Sequence, residues 1–267
     1  MKRVKNLYSP NFPASDKYTW GVLFSRPDAI EIILENTDKI DWFWLSKNPH
    51  RIAVDILRNH MEKIDWNSIG ENPGCMDIIR ENIEKIRWNS LCRNTNPEAM
   101  EILQQSPKKI YWVDLCQNET AAAMSLVARN LDQLGKAEWT VLSSNPFAID
   151  ILEQCSHMIN WARIGENPAA SHLIKRNMSR IDWNYVSANP ACVDIIVENL
   201  KKVTPSSLCS NPNPLCVSLL RHFHSISWEN LCKNPAAMPM LRVNREHLVW
   251  SSLVENPYGL ELLFSKC

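Results

Sequence analysis

Glycine is scarce in this chain, with six residues among 267. Phosphate-binding loops need several glycines close together so that the backbone can approach the anion. The sequence has no such loop, and it also lacks the motifs of zinc peptidases and serine hydrolases. We therefore predict a protein that is not an enzyme, with no catalytic site, no metal site and no cofactor.

An excess of charge of one sign is also missing. Lys and Arg total 29, Asp and Glu total 29, and the formal net charge is zero. A nucleic-acid interface normally carries surplus basic residues to neutralise phosphates, so nucleic acid is not an expected partner. No apolar run approaches the roughly 18 residues that a membrane span needs, and the N-terminus lacks the apolar core of a secretory signal. The sequence thus predicts a protein that is not secreted, with other proteins as partners and no small-molecule substrate.

Tryptophan is abundant instead, and its spacing defines a repeat. The 11 Trp residues lie at positions 20, 42, 44, 66, 88, 112, 139, 161, 183, 228 and 250. With Trp44 set aside, successive intervals are 22, 24, 22, 24, 27, 22, 22, 45 and 22, and the interval of 45 holds two units in which Pro205 replaces one Trp. A fixed period of this kind is the signature of a repeat architecture. We predict an all-α fold, an α-solenoid of about eleven two-helix repeats of 22–24 residues over residues 20–267.

Each repeat contains signals for two helices. An Asn-Pro pair places a capping acceptor before a residue whose φ suits the first helical turn, and it recurs at Asn48, Asn72, Asn96, Asn145, Asn167, Asn189, Asn234 and Asn256. An Asn about ten residues later is suited to end this longer helix in the left-handed conformation. The shorter helix begins at the Trp, after a capping residue such as Asp41, Asp65, Asn160 or Asp182. We expect the Trp and the Leu that follows it to pack in the core.

The nine cysteines lack the C-x-x-C spacing of zinc sites. Their odd number, in a long chain without an export signal, indicates reduced thiols. Four recur at nearly the repeat spacing, as a metal array would: Cys92, Cys116, Cys209 and Cys232. The same position holds Ser or Gly in other repeats, and a buried Cys behaves as a small apolar residue. We therefore predict that these thiols serve core packing.

Three departures from the repeat predict irregular structure. Residues 116–138 lose the Asn-Pro pair and contain an insertion at 135–137, so a change of curvature is expected there. Pro239 falls inside a predicted long helix, where a proline should cause a kink at a cost of about 3 kcal/mol. Residues 1–19, with two prolines, are predicted to form an extended N-terminal arm.

Charged residues recur at two positions of the repeat. One position is acidic at Glu31, Asp55, Asp77, Glu101, Asp150, Asp194 and Glu261, and the other is basic at Lys39, Lys63, Lys85, Lys109, Arg180 and Lys202. Stacked repeats would turn them into an acidic row and a basic row. Two interpretations remain open at this point. The rows are solvated faces with ion pairs between repeats, each contributing roughly 0–1 kcal/mol, or one of them lines a partner-binding surface.

Other residues are candidates for direct contact with a partner. Trp44 lies outside the repeat pattern and is a candidate surface contact. The last repeat places four apolar residues where no further unit follows, namely Leu260, Leu262, Leu263 and Phe264. Solenoids usually end in a polar cap, so we predict that this end docks on another chain.

The repeat resembles one found in large DNA viruses of algae and amoebae. Residues 63–66 (Lys-Ile-Asp-Trp) and 142–146 (Leu-Ser-Ser-Asn-Pro) carry the resemblance, which extends over roughly residues 20–267. It implies a viral protein without catalytic residues, in the virion or the cytoplasm of the infected cell. We expect a structural protein such as a minor capsid protein that bridges other capsid proteins. The alternative is a soluble repeat adaptor that binds a host or viral protein.

Overall fold

The structure is a computed structural model of the chain, and it describes the backbone of residues 17–264 and the side chains of residues 20–262. Within that range the chain forms α-helices and short 3-10 helices and no β-strand, so the predicted all-α fold is confirmed. The α-helices are α1 (Lys17–Ser25), α2 (Ile30–Glu35), α3 (Trp42–Leu45), α4 (Arg51–Asn59), α5 (Met76–Glu81), α6 (Trp88–Cys92), α7 (Pro97–Gln105), α8 (Trp112–Gln117), α9 (Ala121–Ala128), α10 (Lys136–Ser144), α11 (Ile149–Gln154), α12 (Ser171–Arg176), α13 (Trp183–Ala188), α14 (Val193–Glu198), α15 (Pro205–Leu208), α16 (Pro214–Leu219), α17 (Trp228–Lys233), α18 (Met238–Val243), α19 (Trp250–Leu253) and α20 (Leu260–Phe264).

Short 3-10 helices lie between many of the α-helices. They are Pro27–Ala29, Thr37–Lys39, Met61–Lys63, Ile69–Glu71, Pro73–Cys75, Pro107–Lys109, Leu131–Gln133, Pro146–Ala148, Ser156–Met158, Arg163–Glu166, Pro168–Ala170, Pro190–Cys192, Leu200–Lys202, Leu220–His222, Pro235–Ala237 and Arg245–His247. The predicted two-helix unit is therefore too simple. Four repeats, which begin at Trp20, Trp139, Trp183 and Trp228, have a Trp helix, a 3-10 turn leading into an α-helix, and a closing 3-10 turn, and the others have some of these elements.

In six repeats the longer helix is divided into a 3-10 turn and an α-helix. The division occurs because the third residue after the residue that precedes the proline leaves the α conformation. Cys192 ends the 3-10 turn Pro190–Cys192 with φ −103° and ψ 18°, and α14 starts at the next residue. A side chain at this position is buried in every repeat, as Ala29, Ala53, Cys75, Ala99, Ala123, Ala148, Ala170, Cys192, Cys216 and Ala237. A small residue here allows the turn to pack closely against its neighbours.

The Asn that ends the longer helix acts differently from the prediction. Asn82 and Asn199 have φ near −131° and −132°, outside the left-handed region. Each side-chain amide instead donates to the carbonyl oxygen four residues earlier, at 3.0 Å for both Asn82 to Ile78 and Asn199 to Ile195. The predicted helix end is confirmed, but the Asn satisfies a terminal carbonyl with its own amide.

Two further expectations are wrong. Pro239 lies in the first turn of α18, because the helix restarts at Met238 after the 3-10 turn Pro235–Ala237. A proline in the first turn removes no helical hydrogen bond. The extended arm cannot reach residue 19, because α1 begins at Lys17; residues 1–16 lie outside the described part of the chain.

The described residues fall into two compact units. Residues 20–163 form the first unit, and residues 164–264 together with 17–19 form the second. The core of each unit repeats one fully buried aliphatic residue per Trp helix, which is Leu45, Ile69, Leu91, Leu115 and Leu142 in the first unit and Ile164, Val186, Leu208, Leu231 and Leu253 in the second. The prediction of one repeat domain over residues 20–267 remains a prediction.

Candidate protein-interaction surface

A ladder of buried asparagines joins successive repeats within each unit. The Asn72 amide donates to the backbone carbonyl oxygens of Ser46 and Asn48, both at 2.9 Å. Its side-chain oxygen accepts the backbone N–H of Gly74 at 2.9 Å, as expected for a cap. One side chain therefore starts its own helix and holds the preceding repeat.

The same double donation recurs along both units. In the first unit it is made by Asn48, Asn72, Asn94, Asn118 and Asn145, and in the second by Asn189, Asn211, Asn234 and Asn256. Asn118 keeps both bonds although Glu119 replaces the usual proline. In one repeat the ladder residue is Asn94, and Asn96 caps the helix as predicted, accepting the backbone N–H of Glu98 at 3.0 Å.

In six repeats the Ser or Cys two positions before the ladder Asn also joins repeats. The Ser46 hydroxyl donates to the Trp42 carbonyl and accepts the backbone N–H of Asp65 at 3.1 Å. Cys92 occupies the same position, and its sulfur accepts the N–H of Tyr111 at 3.4 Å. Small size was predicted for this position, but its role as a hydrogen-bond acceptor was not.

Most tryptophans are only partly buried, so the prediction that the repeat tryptophans form the core is wrong for eight of those ten; Trp44 was not included in that prediction. Trp20 and Trp139 are buried, at 5% exposure each, and the other nine are of intermediate exposure. A lysine of the predicted basic row lies over several of the rings, with ammonium-to-centroid distances of 4.2 Å for Lys39–Trp20, 4.9 Å for Lys85–Trp66, 6.0 Å for Lys109–Trp88 and 5.3 Å for Lys202–Trp183. Histidine rings lie against two other tryptophans, with His60 beside Trp42 and His247 beside Trp228. We call the lysine–Trp pairs the tryptophan–cation row, in which Trp20 is buried and the other rings are partly exposed.

The predicted acidic row is exposed and partly paired with arginine. Arg58 bonds Asp77 of the next repeat and also Asp55 at 3.2 Å. Burial acts to raise the pKa of Asp77, but the hydrogen bond from Arg58 and the backbone N–H of Ile78 hold it below its usual value. In the second unit Arg242 bonds Glu261 at 2.7 Å. Ion pairs between repeats are therefore present in both units, although Glu31 and Glu101 of the row are simply exposed.

A second group of charges lies beside the ladder in the first unit. Glu71 pairs with Lys47 at 3.3 Å and with Arg93, and Arg93 also reaches Asp114 at 2.9 Å. Burial raises the pKa of the Asp114 carboxyl, and the Arg93 charge opposes that shift. These charges come from successive repeats and pair with one another, so they stabilise the stack.

The other predicted contact residues lie in different surroundings. Trp44 is half-buried and packs against Gly21, where a Cβ atom would come within 2.2 Å of its ring nitrogen. Leu262 is 2% exposed, so its side chain is enclosed by this chain and is not available to a partner. Leu260 is half-buried, while the side chains of Leu263 and Phe264 lie outside the described residues.

The insertion at residues 135–137 borders a cavity of about 400 Å³ in the first unit. Its lining residues are Leu134, Gly135, Lys136, Trp139, Thr140, His157, Met158, Ile159 and Asn160. Sequence analysis predicted irregular curvature from this insertion, but it did not predict a cavity. The available signal was Met158, which occupies the position of the basic row.

Most of the described cysteine thiols are buried. Burial raises the pKa of Cys75, Cys116 and Cys192 to about 12 and that of Cys92 to about 11, so these thiols stay protonated at neutral pH. No group of three or more potential metal ligands occurs among the described residues. Within the same range, no helix is long and apolar enough to cross a membrane.

Comparison of the chain with known protein families, with curated proteins and with solved structures finds no match. The resemblance to proteins of large DNA viruses therefore remains a prediction from the repeat itself.

Proposed function

We propose that this chain is a non-catalytic protein that binds other proteins, and that it is a structural component of a virus particle, such as a minor capsid protein that bridges other capsid proteins. The observation that carries the binding role is the tryptophan–cation row. It places partly exposed Trp rings and lysine side chains at repeat spacing on a scaffold held by buried asparagines. Aromatic side chains, Trp above all, are among the residues that contribute most to binding at protein interfaces.

The rigidity of the scaffold supports the same role. Each ladder Asn fixes one repeat against the preceding one with two buried hydrogen bonds, as Asn189 does with Gly165 and Asn167. Side chains on such a scaffold are held in place before binding, which lowers the entropy lost when a partner docks. Exposed apolar residues directly after the helix-capping Asn-Pro pair add contact area, with Phe147 49%, Leu215 60% and Tyr258 63% exposed.

The location in a virus particle rests on the resemblance of the repeat to those of large DNA viruses. A soluble adaptor that binds a host or viral protein is the alternative. The two roles differ in stoichiometry, because a structural part of a shell is present at a fixed number of copies per particle. An adaptor is expected mainly in the infected cell.

Quantitative mass spectrometry of purified particles and of infected cells separates these roles. The structural role predicts a constant ratio of this chain to the major capsid protein through successive density-gradient steps, whereas a contaminant falls at each step. A particle without the chain, together with abundant chain in the cell, would exclude the structural role and favour the adaptor.

A further inference from the structure

We propose that the cavity beside α10 binds a large apolar side chain of a partner protein that carries a carboxylate next to it. The inference rests on the proposed function, because it names the place where a partner is held and the chemistry that holds it. All the residues involved belong to the first unit.

The cavity arises where the tryptophan–cation row is interrupted. Lys85 and Lys109 each directly precede a closing Ile and lie over the Trp of their repeat, at 4.9 and 6.0 Å. The equivalent residue before Ile159 is Met158, which is 37% exposed. Among the described residues, no lysine or arginine is placed over the Trp139 ring. Met158 takes the place of that lysine, so the cavity has an apolar wall at this position where other repeats have a charged side chain.

The insertion enlarges that space. It allows α10 to start at Lys136 and to run for 9 residues to Ser144, whereas the corresponding α8 has 6 residues. Leu134, Trp139, Met158 and Ile159 provide the apolar lining. A volume of about 400 Å³ accommodates a bulky side chain with part of its backbone.

The polar lining favours a carboxylate. Thr140 and Asn160 are already bonded, since the Asn160 amide donates to the Thr140 hydroxyl at 3.2 Å and that hydroxyl donates to the Lys136 carbonyl at 2.8 Å. The Lys136 ammonium and the His157 ring, in contrast, make no hydrogen bond or ion pair with any described residue. Glu138 is engaged with the backbone N–H of Gly135 at 2.9 Å. An apolar lining with two unpaired donors complements an apolar side chain beside an Asp or Glu.

Selection from a random heptapeptide phage library, with the full chain as bait, tests the proposal. Selected peptides are expected to carry Phe, Trp, Leu or Met next to Asp or Glu. Their dissociation constants, measured by fluorescence polarisation, should rise at least tenfold for Met158→Lys, because a charged lysine then replaces an apolar wall of the cavity. Lys136→Glu should weaken the acidic peptides at least threefold.

The matched control is Met61→Lys, which changes a half-buried methionine of the corresponding 3-10 turn in another repeat and should leave affinity unchanged. Circular dichroism melting curves check that each variant is folded. The proposal is overturned if no peptide is enriched, if enriched peptides lack acidic residues, or if they bind Met158→Lys as tightly as the parent chain. If the chain still assembles with its partner in the Met158→Lys variant, the proposed function stands and the cavity is not the contact.

Discussion

At the scale of single residues, the fold depends on side chains that do two things at once. Asn72 caps a helix through its oxygen and holds the preceding repeat through its amide. Asp, Ser and Thr would also cap a helix, but none of them offers the amide N–H₂ group that donates two bonds. This explains why the ladder position is Asn in every repeat after the first, where Arg26 precedes the proline.

Removal of one ladder residue should therefore be costly. Asn72→Ala leaves two buried carbonyls and one N–H without partners, each worth about 1–3 kcal/mol, so we expect a loss of about 3 kcal/mol or more in the free energy of unfolding. Asn59→Ala is the control, because the Asn59 amide bonds only the exposed carbonyl of Asp55 at 2.9 Å. Urea unfolding followed by circular dichroism measures both. Equal losses for the two variants would contradict the ladder.

The small residue of the Trp helix should tolerate sulfur better than it tolerates a methyl group. Ser143 accepts the N–H of Asn160 at 2.9 Å and donates to Trp139 at 2.8 Å. We expect Ser143→Ala to cost about 1 kcal/mol and Ser143→Cys to cost less, because Cys already accepts the equivalent bond at Cys209. Thermal melting of the two variants ranks them, and a less stable Cys variant would show that size alone governs this position.

Thiol reactivity should follow burial. Cys155 is half-buried, whereas Cys75, Cys116 and Cys192 are buried with pKa values raised to about 12. In a Cys267→Ser background, we expect Ellman's reagent at pH 8 to react first with Cys155 and to reach the others only in denaturant. Adding Cys155→Ser should abolish the fast phase. A fast phase that survives this change would mean that the buried thiols are accessible.

At the scale of elements, local signals were predictable and contacts between repeats were not. Asp41 and Asp182 cap their Trp helices at 3.1 and 2.9 Å, and Pro205 starts α15, as the sequence indicated. These features depend on neighbouring residues in the chain. The exposure of Trp66 and the cavity beside α10 depend on how one repeat lies on the next, and the repeat pattern does not encode that arrangement.

One element is shaped by a close approach between repeats. Gly70 lies in the 3-10 turn Ile69–Glu71, where most other repeats have an α-helix, and a Cβ atom there would come within 2.1 Å of the Ser90 hydroxyl. We expect Gly70→Ala to destabilise the chain by about 1–3 kcal/mol through overpacking. Ser90→Ala should recover part of that loss in the double variant. Urea unfolding of the four combinations gives the coupling energy, and additive effects would contradict the contact.

At the scale of the whole molecule, the sequence predicted the all-α, repeat-like architecture, while the non-catalytic role and the partner remain proposals. Within the first unit the ladder continues through Asn118, so the segment 116–138 keeps its hydrogen bonds despite the lost proline. The predicted change of curvature there remains a prediction. What the units share is a regular surface of half-buried Trp and basic side chains, which is suited to binding along a stack of repeats.

Lysine-reactive cross-linking of the intact assembly, read by mass spectrometry, tests the central claim that this surface binds another protein. The account predicts reproducible cross-links from Lys39, Lys85, Lys109 or Lys202 to one partner protein, lost when the assembly is dissociated before cross-linking. Cross-links confined to this chain, in an assembly that contains it, would contradict the claim.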